Sequence, residues 1–371
     1  MLRHRAPSAP VMCIRPGVLA ERARGFLDGF PGEVAYAVKC NPLPAVLQAF
    51  HAAGIRHFDT ASLMEIATVA ELFDDTVSYF HHPVKTRQSI REAATRYGVR
   101  HFVVDHPGEL DKVLAETAGS EDLVINVRMA TPTASVAIDL SRKFGATPAE
   151  AIELLRAVKA RGLRPALSFH VGSQCTTPEA FDVALRLAYT VLEQAEVELA
   201  FLDVGGGFPT HYPNTVAPEM GAFFETIRAG VAWMFNDRAP PLICEPGRAL
   251  VADGVSLVVQ VQLRKDDMLY INDGIYGTLS DLHFTEGLQP PVRMLRPDGE
   301  MAAEMQDFTI YGPTCDSIDV LPLPFSLPVD AREGDWIEVG QIGAYSIALS
   351  SNFNGFGLDT FVELDDRGPE G

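Results

Sequence analysis

Apolar and polar positions alternate in blocks along most of the chain. Short apolar runs lie at 34–40, 57–61, 77–82, 101–105, 123–129, 166–172, 201–205 and 242–246. Between them stand segments with helical spacing: Ser62–Phe73, Thr86–Tyr97, Pro148–Arg161, Pro178–Gln194 and Glu219–Phe235. Several open on Ser, Thr or Pro, as helix starts do. Eight strands alternating with helices predict a (β/α)8 barrel, and the span suits its usual ~250 residues. A doubly wound open sheet shares the alternation, but no dinucleotide fingerprint follows the first run. Beyond residue 250 the period drops to two. Val255–Leu263 reads as a half-buried strand, followed by Met268–Asn272, Phe308–Tyr311, Asp335–Val339 and Phe361–Leu364. Pro322, Pro324 and Pro328 argue against helix there. The expected organisation is a barrel over 18–250 and an all-β domain, sandwich or barrel, from 1–17 and 251–371. The short run at 9–15 fits that second domain.

Composition narrows the class. The chain has 371 residues, 47% hydrophobic and 21% charged, which describes a globular protein with a large core. With 49 acidic against 30 basic residues its net charge is −19, which argues against nucleic acid and anionic membranes as partners. The five cysteines (Cys13, Cys40, Cys175, Cys244, Cys315) have neither disulfide-framework nor zinc spacing, and a reducing cytoplasm is the expected compartment. No metal site is expected. Met1–Pro10 lacks the apolar stretch of a secretory signal, and no run reaches membrane-spanning length.

Side chains at the C-terminal ends of barrel strands line the active face. Chemistry collects there strand after strand: Lys39, Asp59, Arg128, His170 with Ser173, Gly205-Gly206-Gly207, and Glu245-Pro246-Gly247-Arg248. A lysine closing a strand usually snorkels to solvent. Burial would instead lower its pKa and leave an amine able to form a Schiff base. Glycine N–H groups without Cβ atoms make an anion cradle, and barrels often hold phosphate after strands seven and eight. Arg248 adds a cation and Ser173 a hydroxyl. Glu245 suits a pyridinium nitrogen, and His170 a ring face. Phosphate cradle, lysine and carboxylate together describe a site for pyridoxal 5'-phosphate (PLP).

These residues sit in segments that resemble the fold-type III PLP-dependent decarboxylases: the ornithine, lysine, arginine and diaminopimelate decarboxylases, and in its motifs the ornithine group most. The segments are Tyr36-Ala37-Val38-Lys39-Cys40-Asn41-Pro42, Phe58-Asp59-Thr60-Ala61-Ser62, Leu140-Ser141-Arg142-Lys143-Phe144-Gly145, His170-Val171-Gly172-Ser173 and Leu202-Asp203-Val204-Gly205-Gly206-Gly207. Glu245-Pro246-Gly247-Arg248, Asn272-Asp273-Gly274-Ile275-Tyr276-Gly277, Gly312-Pro313-Thr314-Cys315-Asp316, Gly343-Ala344-Tyr345 and Ser351-Asn352-Phe353 follow in order. The resemblance implies an alanine-racemase-like barrel and a homodimer with shared active sites. It implies that Lys39 forms the Schiff base, with Asp59 and Arg128 supporting the cofactor. Ser173, Gly206, Gly207, Gly247, Arg248 and Tyr345 would hold the phosphate end, His170 would stack on the ring, and Glu245 would pair with its nitrogen. Cys315 would return a proton to Cα from the partner's β-domain, with Asp316, Tyr276 and Phe353 at the substrate.

Asp316 favours a distal ammonium, hence L-ornithine or L-lysine and a place in polyamine biosynthesis. One departure stands out. The aromatic-Asp pair of ornithine enzymes is Phe284-Thr285 here, so either Asp281 or Glu286 substitutes or that carboxylate is missing. Arginine, diaminopimelate or a specialised amino acid remain alternatives, as do a non-catalytic regulatory homologue and a racemase on the same barrel.

Overall fold

The computed structural model describes residues 9–131 and 143–364; Leu140–Arg142 of the motifs above lie outside them. The chain divides into two compact units, one comprising Glu21–Pro209 with Ala217–Gly247, the other built mainly from Arg248 onward with the N-terminal segment and Thr210–Val216.

The first unit is a closed barrel of parallel strands: β2 (Glu33–Ala37), β3 (His57–Thr60), β4 (Val77–Phe80), β5 (His101–Val104), β6 (Val124–Arg128), β7 (Arg164–Ser168), β8 (Leu202–Asp203) and β9 (Leu242–Cys244). Closure is made by β2 on β9, with Val34 opposite Cys244. This excludes the open sheet. Ala35, Tyr79, Val124, Ala166, Phe201 and Ile243, drawn from strands all round the barrel, pack into one apolar layer. Helix starts follow the local chemistry: Ser62 and Thr86 accept the N–H groups of Glu65 and Ser89, and Thr147 with Glu150 forms a reciprocal capping box.

The second unit is an eight-stranded sheet, ordered β12 (Val292–Leu295), β15 (Trp336–Val339), β10 (Val255–Lys265), β11 (Met268–Ile271), β13 (Met305–Tyr311) and β14 (Phe325–Pro328). β1 (Val11–Ile14) joins it, antiparallel to β10 and parallel to β16 (Thr360–Glu363). Val11, Cys13, Val258 and Trp336 pack as a core there. No helix among the described residues is long and apolar enough to cross a membrane.

One barrel histidine makes stability depend on pH. Burial, with His81 and Arg164 adding to it, pushes His101 down to about 4 from 6.5, and its Nδ1 has no hydrogen-bond partner. The unfolded chain therefore takes up this proton first, and the His101 contribution, complete above 6.5, is lost as pH falls toward 4. Urea midpoints measured at pH 7 and pH 4.5 should differ less in His101→Gln than in wild type. Equal pH sensitivity in the two proteins would sink this.

Candidate active site

Lys39 does not end a strand. β2 stops at Ala37, and Val38–Cys40 forms a 3-10 turn. The turn is tied down where the Ala37 N–H donates to the Pro246 carbonyl (3.1 Å) and the Tyr36 hydroxyl to the Asn41 carbonyl (3.1 Å). Gly247 packs so tightly against it that a Cβ would lie 3.1 Å from Cys40 Cβ. Of the two readings of this lysine, solvent-reaching or buried, the structure shows the first in part: the turn buries Val38 and Cys40 and leaves the Lys39 side chain 40% exposed. Its Nζ donates to Asp59 Oδ2 at 2.6 Å, so a fully buried carboxylate rather than desolvation positions the amine.

Beneath this pair lies a polar floor. His81, buried just beyond β4, hydrogen-bonds Glu245 Oε1 through Nδ1 and lies 3.5 Å from Asp203 Oδ2. Asn126 Nδ2 meets His81 Nε2 at 3.3 Å. Donor atoms of Asp59, His81 and Glu245 all fall within 4.8 Å of one another. Burial would raise Glu245, but the charge and hydrogen bond of His81, with Lys39, hold it below the ordinary carboxylate range. Asp203 moves the other way, driven up by burial and by the Glu245 charge, and its Oδ1 accepts the Gly205 N–H (2.8 Å). Two neighbouring carboxyls are thus pushed in opposite directions. The sequence reading gave no role to His81, Asn126 or Asp203; the first and last were detectable as further polar residues at barrel-strand ends.

The glycine cradle is sterically obligatory. At Gly207 (φ +101°) a Cβ would lie 2.2 Å from the Gly172 carbonyl oxygen, and at Gly206 2.5 Å from that of Glu245. Gly207→Ala should therefore cost about 2–4 kcal/mol, from left-handed strain plus overpacking. Denaturant titration checks it; an unchanged midpoint would contradict the geometry. His170 Nδ1 accepts the Gly172 N–H (3.0 Å), and burial, then Arg128 and Lys39, push this histidine down to about 3, so it is neutral at pH 7. Arg128 closes β6 with its guanidinium 5.9 Å from the Phe144 ring centre. Ser173 is half-buried beside this segment.

Within the β-unit, Arg248 is buried and forks onto Asp281 (2.6 and 3.1 Å), also donating to the Tyr212 hydroxyl (3.0 Å) and lying over Tyr345 (5.3 Å). Asp281, one of the two candidates for a second substrate carboxylate, is instead buried in a pair with Arg248 and accepts from the Thr285 hydroxyl (2.8 Å). Glu286 is exposed. A separate group forms around Asp316, whose Oδ2 accepts the Tyr276 hydroxyl (2.6 Å) and whose Oδ1 accepts the Ile318 N–H (3.1 Å). Phe353, 41% exposed, lies against Tyr276 with ring centres 4.8 Å apart, and Cys315 is exposed next to Asp316.

The structure thus gathers Lys39, Asp59, Arg128, His170, the glycines and Glu245 at the strand ends of one barrel, and Tyr276, Cys315, Asp316 and Phe353 in the β-unit. A barrel whose strand ends carry a lysine paired with a buried carboxylate, three sterically required glycines and a second carboxylate held below the ordinary range suits PLP. The residues fit that cofactor: Glu245 stays charged for a ring nitrogen, the cradle has no room for Cβ atoms, and Asp59 Oδ1 is buried without a hydrogen-bond partner. Residues 17–252 match the family described as pyridoxal-dependent decarboxylase, pyridoxal binding domain. The lysine/ornithine decarboxylase of Selenomonas ruminantium is 34% identical over 343 residues, covering 90% of this chain and 84% of that protein. Among solved structures, lysine/ornithine decarboxylase from Vibrio vulnificus complexed with putrescine superposes with a TM-score of 0.84 at 30% identity, over 98% and 96% of the two chains. The Paramecium bursaria Chlorella virus arginine decarboxylase bound to agmatine gives 0.85 at 26% identity, over 98% of each chain. The chain belongs to the fold-type III PLP-dependent decarboxylase family and is an amino-acid decarboxylase.

Proposed function

We propose that this enzyme converts L-ornithine or L-lysine to the corresponding diamine and CO2, in polyamine-type metabolism. The observation that carries the substrate class is Asp316. The Tyr276 hydroxyl, then the Ile318 N–H, hold its carboxyl below the ordinary range, giving a fixed anion for a distal ammonium beside the exposed Cys315. The lysine/ornithine relatives support the same class.

PLP, when bound, supplies the sink for the electron pair left as the Cα–carboxylate bond breaks. Everything else falls to the chain. Lys39 would hold the cofactor through its amine, and Asp59, already within hydrogen-bond reach of Nζ, would orient that amine. Gly206, Gly207, Ser173 and Gly247 would hold the phosphate. Asp281 and Tyr212 keep the Arg248 fork from swinging, and Arg128 supports the cofactor near Lys39. His170, held neutral, would lie against the cofactor ring without competing for charge, and Glu245 would supply an anion for its nitrogen. Cys315 Sγ–H would be the acid that supplies the proton to the substrate Cα. Asp316, Tyr276 and Phe353 grip the side chain.

The commitment of Asp281 to Arg248 favours one further reading, a substrate whose distal cation needs a single carboxylate fork, such as L-arginine. Incubating purified holoenzyme with L-ornithine, L-lysine, L-arginine and meso-diaminopimelate, and following CO2 and amine, separates the cases. Silence on all four would defeat the substrate class.

We also propose a cytoplasmic homodimer in which Cys315, Asp316 and Phe353 act in the partner's barrel. Co-expressed Lys39→Ala and Cys315→Ala chains should then recover about a quarter of wild-type activity, since mixed dimers keep one intact site. Recovery no greater than that of the separate variants would contradict sharing.

A further inference from the structure

His81 is a buried titratable group to which none of the steps above assigns a task, and its setting is that of a built device. It stands on the turn after β4, and its ring is held from every side. Glu245 Oε1, beyond β9, and Asp203 Oδ2, on β8, face Nδ1. Asn126, on β6, faces Nε2. Tyr79, on its own strand, packs edge-on with ring centres 5.3 Å apart. Asp59 on β3 lies within the same 4.8 Å cluster, and His101 on β5 feels its charge. A core histidine that merely filled space would not need four strands to orient it.

We propose that His81 is a positioning residue for the cofactor: through Nδ1 it pins one oxygen of Glu245, presenting the other to the cofactor's ring nitrogen. The inference rests on the assignment of Glu245 to that nitrogen and adds what makes it effective. Glu245 and Asp203 compete for a single negative charge, because two carboxylates this close in a buried site repel. The imidazole favours the charge on Glu245. Asp203, driven the other way, accepts the Gly205 N–H at the first of the three glycines. Without His81 the proton can settle on Glu245 instead, and the ring nitrogen loses its anionic partner. The electron sink then weakens while the amino-acid grip in the β-unit stays intact.

The test compares wild type, His81→Ala and His81→Gln as PLP-loaded enzymes. In His81→Ala, kcat should fall about 10–100-fold, as for lost groups that orient a reactive ligand, with KM within about twofold. Its visible absorption band should change its pH dependence, and cofactor should leave faster on dialysis. His81→Gln keeps an N–H for Glu245 but cannot carry charge, so it should recover part of kcat and retention. The cofactor-free proteins should melt alike. A His81→Ala enzyme with wild-type band, retention and kcat would overturn the proposal for His81 alone. So would a Gln variant no better than Ala whose cofactor-free protein melts as low as that of Ala, which is the signature of a packing role. A wild type with no cofactor band would overturn both this and the assignment of PLP to the barrel mouth.

Discussion

Lys39→Ala is expected to remove the visible band of the bound cofactor and to lower turnover by about 10³-fold or more, the scale of losing a covalent catalytic group. The reason is local. Lys39 is the amine that Asp59 Oδ2 holds at 2.6 Å, on a turn fixed to the Glu245–Gly247 segment by the Ala37–Pro246 bond. The substitution also strips a buried carboxylate of its cation. Asp59 already stands above the ordinary range through burial and the Glu245 charge, with Lys39 pulling against both. Without that pull Asp59 takes up a proton, so the fold should survive. Lys39→Arg separates the two effects: it restores the ion pair but cannot attach the cofactor, and should be equally inactive. A Lys39→Ala enzyme with its band and turnover intact would end the account of the barrel mouth.

Glu245→Gln should cost about 10²–10³-fold in kcat, with little change in KM. The amide has the shape of the carboxylate and can still accept from His81 Nδ1, so packing is preserved. It lacks the charge that His81 and Lys39 maintain on the floor of the site. Asp203, pushed up by burial and by the Glu245 charge, would then move back down, partly replacing the lost anion but facing the Gly205 N–H. The combined Glu245→Gln, Asp203→Asn enzyme should accordingly be slower than either single variant. An unchanged kcat in Glu245→Gln would show that the ring nitrogen needs no anion here.

Most of the barrel was legible because its signal is periodic. Apolar runs separated by capped helical segments are local features, and the Ser62 and Thr86 caps formed where the residue types indicated. The β-unit was legible as strands but not as a sheet order, since β1 pairs with β10 and β16 across most of the chain. Within the site, residue type at a strand end was legible, whereas exposure and pairing were out of reach. Lys39 could be read as solvent-reaching or buried because a 3-10 turn and a strand end share the same apolar run. Asp281 looked available because its bond to Arg248 joins residues 33 apart and leaves no local trace. His81 was passed over for a related reason: its partners Asn126, Asp203 and Glu245 lie on three other barrel segments, and only closure of the barrel brings them together.

The central claim is that this barrel attaches PLP through Lys39. Borohydride reduction of PLP-loaded enzyme, followed by proteolysis and mass spectrometry, tests it directly. The account predicts one phosphopyridoxyl adduct, on the peptide carrying Lys39, absent from Lys39→Ala. An adduct confined to another lysine, such as the buried Lys85, or no adduct on an active enzyme, would contradict it.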